Sequence, residues 1–290
     1  MTQKMRVVFL CASMVTLASV AGAAPLLLYG NNASFTDFIT VMNPTSGAVV
    51  DEFSTRSGNG RGVVVVGDTL YYTLANSGSV YSYNLLTHTD NGALFTVAGA
   101  SGLSTIAFDG TNLWIGDYSG TNQAYNYTLG GTLLNTIHLV DCTGFCDGLE
   151  YFINPNTGQG NLISNEGDAS SPAHYDIYDT SGNLLTHDFI NTTFAATGIA
   201  FDGTNFYVSN IFGNQISIYS GTTGAFLSSF TITGHNSSFG SQLIEDLSFN
   251  YQAVLPPGPS NGAVPEPASL LLLGSGLATF AMRRRRTRKQ

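Results

Sequence analysis

The sequence predicts an all-β fold: a β-propeller of five four-stranded blades, closed by pairing its first and last strands. Three observations carry that expectation. The stretch Ile106-Ala-Phe-Asp-Gly-Thr-Asn112 returns letter for letter as Ile199-Ala-Phe-Asp-Gly-Thr-Asn205. Short β-branched and aromatic runs follow each copy, divided by Asp-Gly or Thr-Gly turns, which is the signature of strands joined in hairpins. Four such runs fill each unit of ~40–45 residues, the size of one propeller blade. A solenoid or a sandwich is the alternative fold, and the four-strand period disfavours both. A six-bladed ring would need a further unit that the sequence does not show.

In chain order, residues 1–23 come first. Lys4 and Arg6 precede an apolar run from Val7 to Val20, and Ala21-Gly22-Ala23 stands before Ala24-Pro25. Basic start, apolar centre and small-x-small end form a secretory signal helix read by signal peptidase, with the cut expected after Ala23. The propeller is expected over 24–252. Its first blade draws three strands from Leu26–Gly30, Phe38–Met42 and Ala48–Phe53. The inner strand of that blade comes from the other end, around Leu247–Asn250, which pairs edges that would otherwise lie open. Blades two to five are expected over 60–98, 102–140, 147–190 and 195–232. Their inner strands start near Val63, Ile106, Gly148 and Ile199.

Beyond the propeller, a Pro- and Gly-rich stretch over 253–263 reads as an extended linker. It leads into Val264-Pro265-Glu266-Pro267, an apolar stretch from Leu270 to Met282, and Arg283-Arg284-Arg285-Arg286. The apolar stretch is shorter than the ~20 residues of a comfortable span. An arginine cluster behind an apolar helix marks the cytoplasmic side, so this transmembrane sorting helix is expected to stall in the inner membrane with the propeller outside. The tripartite tail resembles the PEP-CTERM sorting signal of Gram-negative bacteria. That resemblance implies cleavage near Pro265-Glu266-Pro267 by an exosortase-type membrane protease. It also implies delivery to the cell surface or an exopolysaccharide-rich matrix. Within the blades, Phe206-Tyr-Val-Ser-Asn210 with Ile216-Ser-Ile-Tyr219 resembles the YVTN or NHL class of propeller repeat. Members of that class mostly bind proteins or surfaces, and a few are lactonases or lyases.

Composition supports an ordered domain, since charged residues are 10 % and aromatics 11 % of the chain, enough apolar surface to offset chain entropy. The charge is unevenly placed. Apart from Lys4, Arg6 and the six basic residues after 282, the only cations are Arg56 and Arg61, whereas all 19 Asp and Glu fall between. A domain so acidic repels phosphate backbones, and nucleic acid is excluded as a partner. Cys11 falls in the signal segment. Cys142 and Cys146, in an exported Gly-containing loop, read as a short disulfide, because no second cysteine pair or histidine doublet completes a metal site.

The sequence has no nucleophile elbow, zinc-protease helix or phosphate loop, and no catalytic residue is assigned. His88, His138, His174, His187 and His235 are scattered near predicted strand ends and read as surface or capping residues. Carboxylates are the remaining candidates. Asp141, Asp147 and Glu150 enter the fourth inner strand, Glu245 and Asp246 begin the closing one, and Glu166 and Asp168 follow a second strand. Gathered at the channel mouth, Asp141, Asp147, Glu150, Glu245 and Asp246 would suit a hard cation such as Ca²⁺, an acid/base pair, or simply solvent. No cofactor is otherwise implied. Trp114 keeps step with Tyr72, Ile163 and Tyr207 and reads as core, whereas Tyr118, Tyr125 and Tyr127 are expected to offer exposed contacts. The leading functional expectation is a non-enzymatic surface platform for extracellular polysaccharide or surface protein, associated with biofilm. The alternative is a secreted cation-dependent hydrolase or lyase using the mouth carboxylates.

Overall fold

A computed structural model of the protein describes residues 26–34, 37–118, 120–140, 142, 146–166 and 172–254. The signal segment, the sorting motif Val264–Pro267, the apolar stretch behind it, Arg283–Arg286, Asp141 and Asp168 lie outside the described residues.

Five antiparallel sheets of four strands form. The first contains β1 (Leu28–Asn32), β2 (Phe38–Met42) and β3 (Val49–Ser54). The second holds β4 (Gly60–Val66), β5 (Thr69–Leu74), β6 (Ser79–Asn84) and β7 (Thr89–Thr96). The third holds β8 (Leu103–Phe108), β9 (Asn112–Asp117), β10 (Gln123–Thr128) and β11 (Leu133–His138). The fourth holds β12 (Leu149–Ile153), β13 (Gly160–Glu166), β14 (His174–Asp179) and β15 (Leu184–Asn191). The fifth holds β16 (Ala196–Phe201), β17 (Asn205–Asn210), β18 (Gln215–Ser220) and β19 (Phe226–Thr231). Finally β20 (Ile244–Phe249) returns to the first sheet and lies against β1, Leu28 opposite Phe249 and Gly30 opposite Leu247. The inner strands β20, β4, β8, β12 and β16 neighbour one another in that order and close the ring at β20. This is the five-bladed propeller with end-to-end closure that the repeat spacing predicts. A short helix α1 (Tyr251–Val254) follows, so residues 253–254 of the expected linker are helical.

The repeated letters have a physical role. In blades three and five the inner strand runs straight into an Asp-Gly turn. Asp109 Oδ1 accepts the backbone N–H groups of Thr111 and Asn112 at 2.9 and 2.7 Å, and Asp202 Oδ1 accepts those of Thr204 and Asn205 at 2.8 and 2.7 Å. Gly110 and Gly203 take φ of 95° and 94°, a conformation that glycine adopts without a Cβ clash. Apolar faces of adjacent blades then pack together. Phe152 of blade four meets Phe201 and Phe206 of blade five edge-on, at centroid distances of 5.5 and 4.9 Å. Each such fully buried ring contributes roughly 1.5–3 kcal/mol of transfer free energy. Trp114 is buried as expected, its indole N–H donating to Asp109 Oδ2 at 3.0 Å. Tyr125 and Tyr127 are buried too, contrary to the sequence reading. They lie on the third strand of blade three, which blade two covers, and Tyr127 stacks on Phe95 at 5.0 Å.

Candidate functional site: the channel mouth

The five inner strands run side by side, so their first residues surround one end of the central axis. Three of them begin with a register break, at Gly60/Val63, Leu103/Ile106 and Ala196/Ile199. Such bulges turn backbone N–H groups out of the ladder, and polar side chains of the second strands take them up. Thr73 Oγ1 accepts Gly62 N–H at 2.7 Å, Asn165 Oδ1 accepts those of Asp147 and Gly148 at 2.7 Å each, and Ser209 Oγ accepts that of Gly198 at 2.9 Å. Glycine recurs here because the strands approach backbone to backbone. A Cβ on Gly198 would stand 2.5 Å from Asp246 Cα, and one on Gly148 2.0 Å from the Thr197 carbonyl oxygen.

Asp246 is fully buried in this constriction. Its Oδ2 accepts Val63 N–H and the Thr105 hydroxyl, both at 3.0 Å. Desolvation pushes its carboxyl well above the ordinary range, against the lowering effect of those hydrogen bonds. Ser248 Oγ and Asn250 Oδ1 continue along the same edge, accepting Val65 N–H and Gly67 N–H at 3.0 and 3.1 Å. The closing strand thus pairs the edge of blade two with its side chains.

Above Asp246, Arg61 donates to Glu245 Oε1, and its Nη1 lies 3.5 Å from Asp147 Oδ2. Its guanidinium covers the Tyr118 ring at 4.4 Å, a cation–π contact. Burial works against the arginine's charge, but Glu245 and Asp147 outweigh it and hold the guanidinium above its ordinary value. For Glu245, burial pushes the carboxyl up while Arg61 draws it down. Around this trio lies a depression of about 270 Å³ whose rim includes Tyr118, Ile211, Phe212 and Leu243. A second, of about 200 Å³, shares Arg61 and Tyr118 and continues to Asn59, Asn76 and Ser101. Phe212 is 70 % exposed.

The structure therefore brings Asp147, Glu245 and Asp246 together at one end of the axis. Glu150 does not join them. It is buried toward the far end, its Oε1 accepting Tyr151 N–H at 2.7 Å and its Oε2 accepting the Tyr251 hydroxyl. Burial pushes Glu150 well above its ordinary value. Glu166 ends β13 opposite His174, one residue beyond Asn165 and so at the mouth end of that sheet. Sequence reasoning missed Arg61, which binds the mouth carboxylates. The signal was present: it is one of only two cations between residues 7 and 282. Cys142 and Cys146 are joined in a disulfide beside the mouth, where the Cys146 carbonyl accepts the Ser104 hydroxyl at 2.9 Å.

Residues 263–286 match the PEP-CTERM protein-sorting motif. No curated protein matches the sequence. Among solved structures, the fold is similar to a chain of a nidogen/laminin complex, at 12 % identity and a TM-score of 0.52, covering 77 % of this chain and 97 % of that one. It is also similar to a glutaminyl cyclase of Myxococcus xanthus at 10 % identity and a TM-score of 0.46, covering 67 % of this chain and 71 % of that one. The first likeness shows the propeller fold alone. The sorting motif implies export, processing by an exosortase, which is a membrane protease, and a transient C-terminal membrane anchor. Among the described residues no helix is long and apolar enough to cross a membrane. Motif and propeller together point to an exported surface protein.

Proposed function

We propose that the propeller is a non-enzymatic binding platform at the surface of a Gram-negative cell, and that the channel mouth holds a neutral stretch of extracellular polysaccharide in a biofilm matrix. One observation carries this reading: the mouth carboxylates are engaged in holding the ring together. Asp246 binds the backbone of blade two and Thr105, while Glu245 and Asp147 bind Arg61. What the mouth offers to a ligand is the ring of Tyr118, already held flat under Arg61, and the exposed ring of Phe212, on either side of a polar floor. Apolar ring faces beside a few fixed polar groups suit the alternating faces of a sugar chain. The excess of carboxylate over guanidinium disfavours a polyanion.

The test is retention of the host's purified exopolysaccharide by the full chain in detergent, compared with Phe212→Ala and Tyr118→Ala. The expectation is saturable binding weakened at least tenfold by either change. No retention by the unaltered protein removes the proposed ligand. Hydrolysis of that polysaccharide that stops on chelation, or with Glu245→Gln, would establish the cation-dependent enzyme instead.

A further inference from the structure

Blade four departs from the other blades at its outer edge. In every sheet the outer strand gains one residue near its turn, as at Met42, Tyr127 and Tyr219. Blade two adds a second slip of one residue, from Phe95 to Ala93, but in blade four the second slip is wider. The two-residue step from Tyr175 to Ile177 on β14 faces the four-residue step from Ile190 back to Thr186 on β15. The extra residues place His187 and Asp188 opposite Asp176. Asp188 adopts φ of 54°, a left-handed conformation costly for most residues and more tolerable for aspartate.

The slip assembles three side chains of metal-ligating type, with a fourth, His174, beside them and its Nδ1 against Asn191 Oδ1. One ligand atom each from Asp176, His187 and Asp188 lies within 4.8 Å of the others. His174 joins from the same face of β14, its Nδ1 3.1 Å from Asp188 Oδ1, and His187 Nδ1 lies 3.3 Å from Asp188 Oδ2. Asp176 is fully buried, and its Oδ1 accepts the Asp188 N–H at 2.6 Å. The Tyr178 hydroxyl donates to its other oxygen at 3.5 Å, so the carboxylate is oriented from behind as a ligand must be. Among the described residues no arginine or lysine reaches these two carboxylates, because Arg56 pairs with Asp90 and Arg61 lies in the mouth.

We propose that this side-chain cluster at the outer edge of blade four binds a borderline divalent metal ion, Zn²⁺ foremost, through His187, Asp188 and Asp176, with His174 as the fourth ligand. Two imidazoles with two carboxylates match the ligand preferences of zinc and not those of calcium, which takes oxygen alone. Bonds of ~2.0–2.2 Å require the ligand atoms to draw closer than they stand. The exposed ring of His187 and the half-buried ring of His174, on leaving Asn191, supply that movement.

The experiment is calorimetric titration of the metal-stripped full chain, in detergent, with ZnCl₂ and separately with CaCl₂, alongside thermal melts. The expected result is a single saturable Zn²⁺ equivalent at micromolar concentration, with a raised Tm and no comparable Ca²⁺ response. His187→Ala and His174→Ala should each weaken binding by ~10–100-fold, while His88→Ala and His138→Ala leave it unchanged. His187 is 55 % exposed, and a matching metal-free melt identifies any variant that misfolds. Asp188→Asn, which preserves shape, serves as the second probe. Absence of saturable Zn²⁺ binding, or binding indifferent to His187→Ala and Asp188→Asn, overturns the proposal, as does a preference for Ca²⁺.

Discussion

Asp37 shows how one buried residue sets a property of the whole fold. It precedes β2 with φ of 39° and is wholly buried, its Oδ2 accepting the Thr55 hydroxyl. Its Oδ1 and the Oδ1 of Asn31 lack a hydrogen-bond partner, and both abut Gly60. A proton on Asp37 supplies the donor that this corner lacks. Burial pushes the carboxyl up to about 7, against the lowering bond from Thr55 and with a further push from Asp90. An unfolded aspartate titrates near ~3.9, so the native state binds the proton more tightly. Stability from this group is complete below pH ~4 and is lost as pH rises through about 7. His235 has the same sign: burial disfavours its charge, but bonds to Glu52 and the Gly240 carbonyl prevail and raise its value. Its contribution is present below ~6.5 and fades as pH rises through its folded value. Asp37→Asn keeps the shape without the charge. The denaturant midpoint of the variant, followed from pH 4 to 8, should fall less steeply than that of the unaltered protein, and should exceed it at pH 8. Parallel curves would show that Asp37 is not the titrating group.

Among the elements, the inner strands are the most constrained, because their spacing is set by glycine. Gly198→Ala inserts a methyl where Asp246 Cα stands 2.5 Å away and Asp246 C 2.8 Å away. Backbone cannot rotate aside, so overpacking is expected to cost about 1–3 kcal/mol or more. Gly102→Ala, whose methyl meets nothing nearer than 3.8 Å, is the control and should change Tm little. Equal Tm shifts in the two variants would mean that the strands are not in the close approach described. These strands were also the most legible part of the sequence. Their Asp-Gly turns and apolar runs are local signals, and the carboxylates preceding β12 and beginning β20 follow from strand position alone. The misreadings arise where the signal is not local. Tyr125 and Tyr127 are covered by a neighbouring blade, which no pattern within one strand encodes. Glu150 stands only three residues beyond Asp147 of the mouth, but its side chain is sealed by Tyr251. The slip in β15 leaves no mark in composition, so His174 and His187 look scattered until the register is known.

At the scale of the molecule, the ring depends on a strand supplied from the far end of the chain. β20 and the residue after it do three things at once: the strand covers the edge of β1, the Asp246, Ser248 and Asn250 side chains bind backbone N–H groups of blade two, and Glu245 anchors Arg61. Removing it would leave two inner edges unpaired, and each buried N–H without a partner costs about 1–3 kcal/mol. Three such groups, with the apolar burial of Leu247 and Phe249, reach the usual 5–15 kcal/mol of a domain's total stability. The same strand begins the chain's exit from the ring, since Tyr251 follows it and the sorting tail lies beyond. Export thus delivers the closing element last, next to the membrane anchor. A chain ending at residue 243 is expected to lose its cooperative melt and to aggregate through the exposed edges, whereas one ending at residue 254 should melt as a single unit. The two truncations can be compared by calorimetry and size-exclusion chromatography. If the shorter chain melts cooperatively within a few degrees of the longer one, blade one is complete without β20, and ring closure contributes nothing to stability.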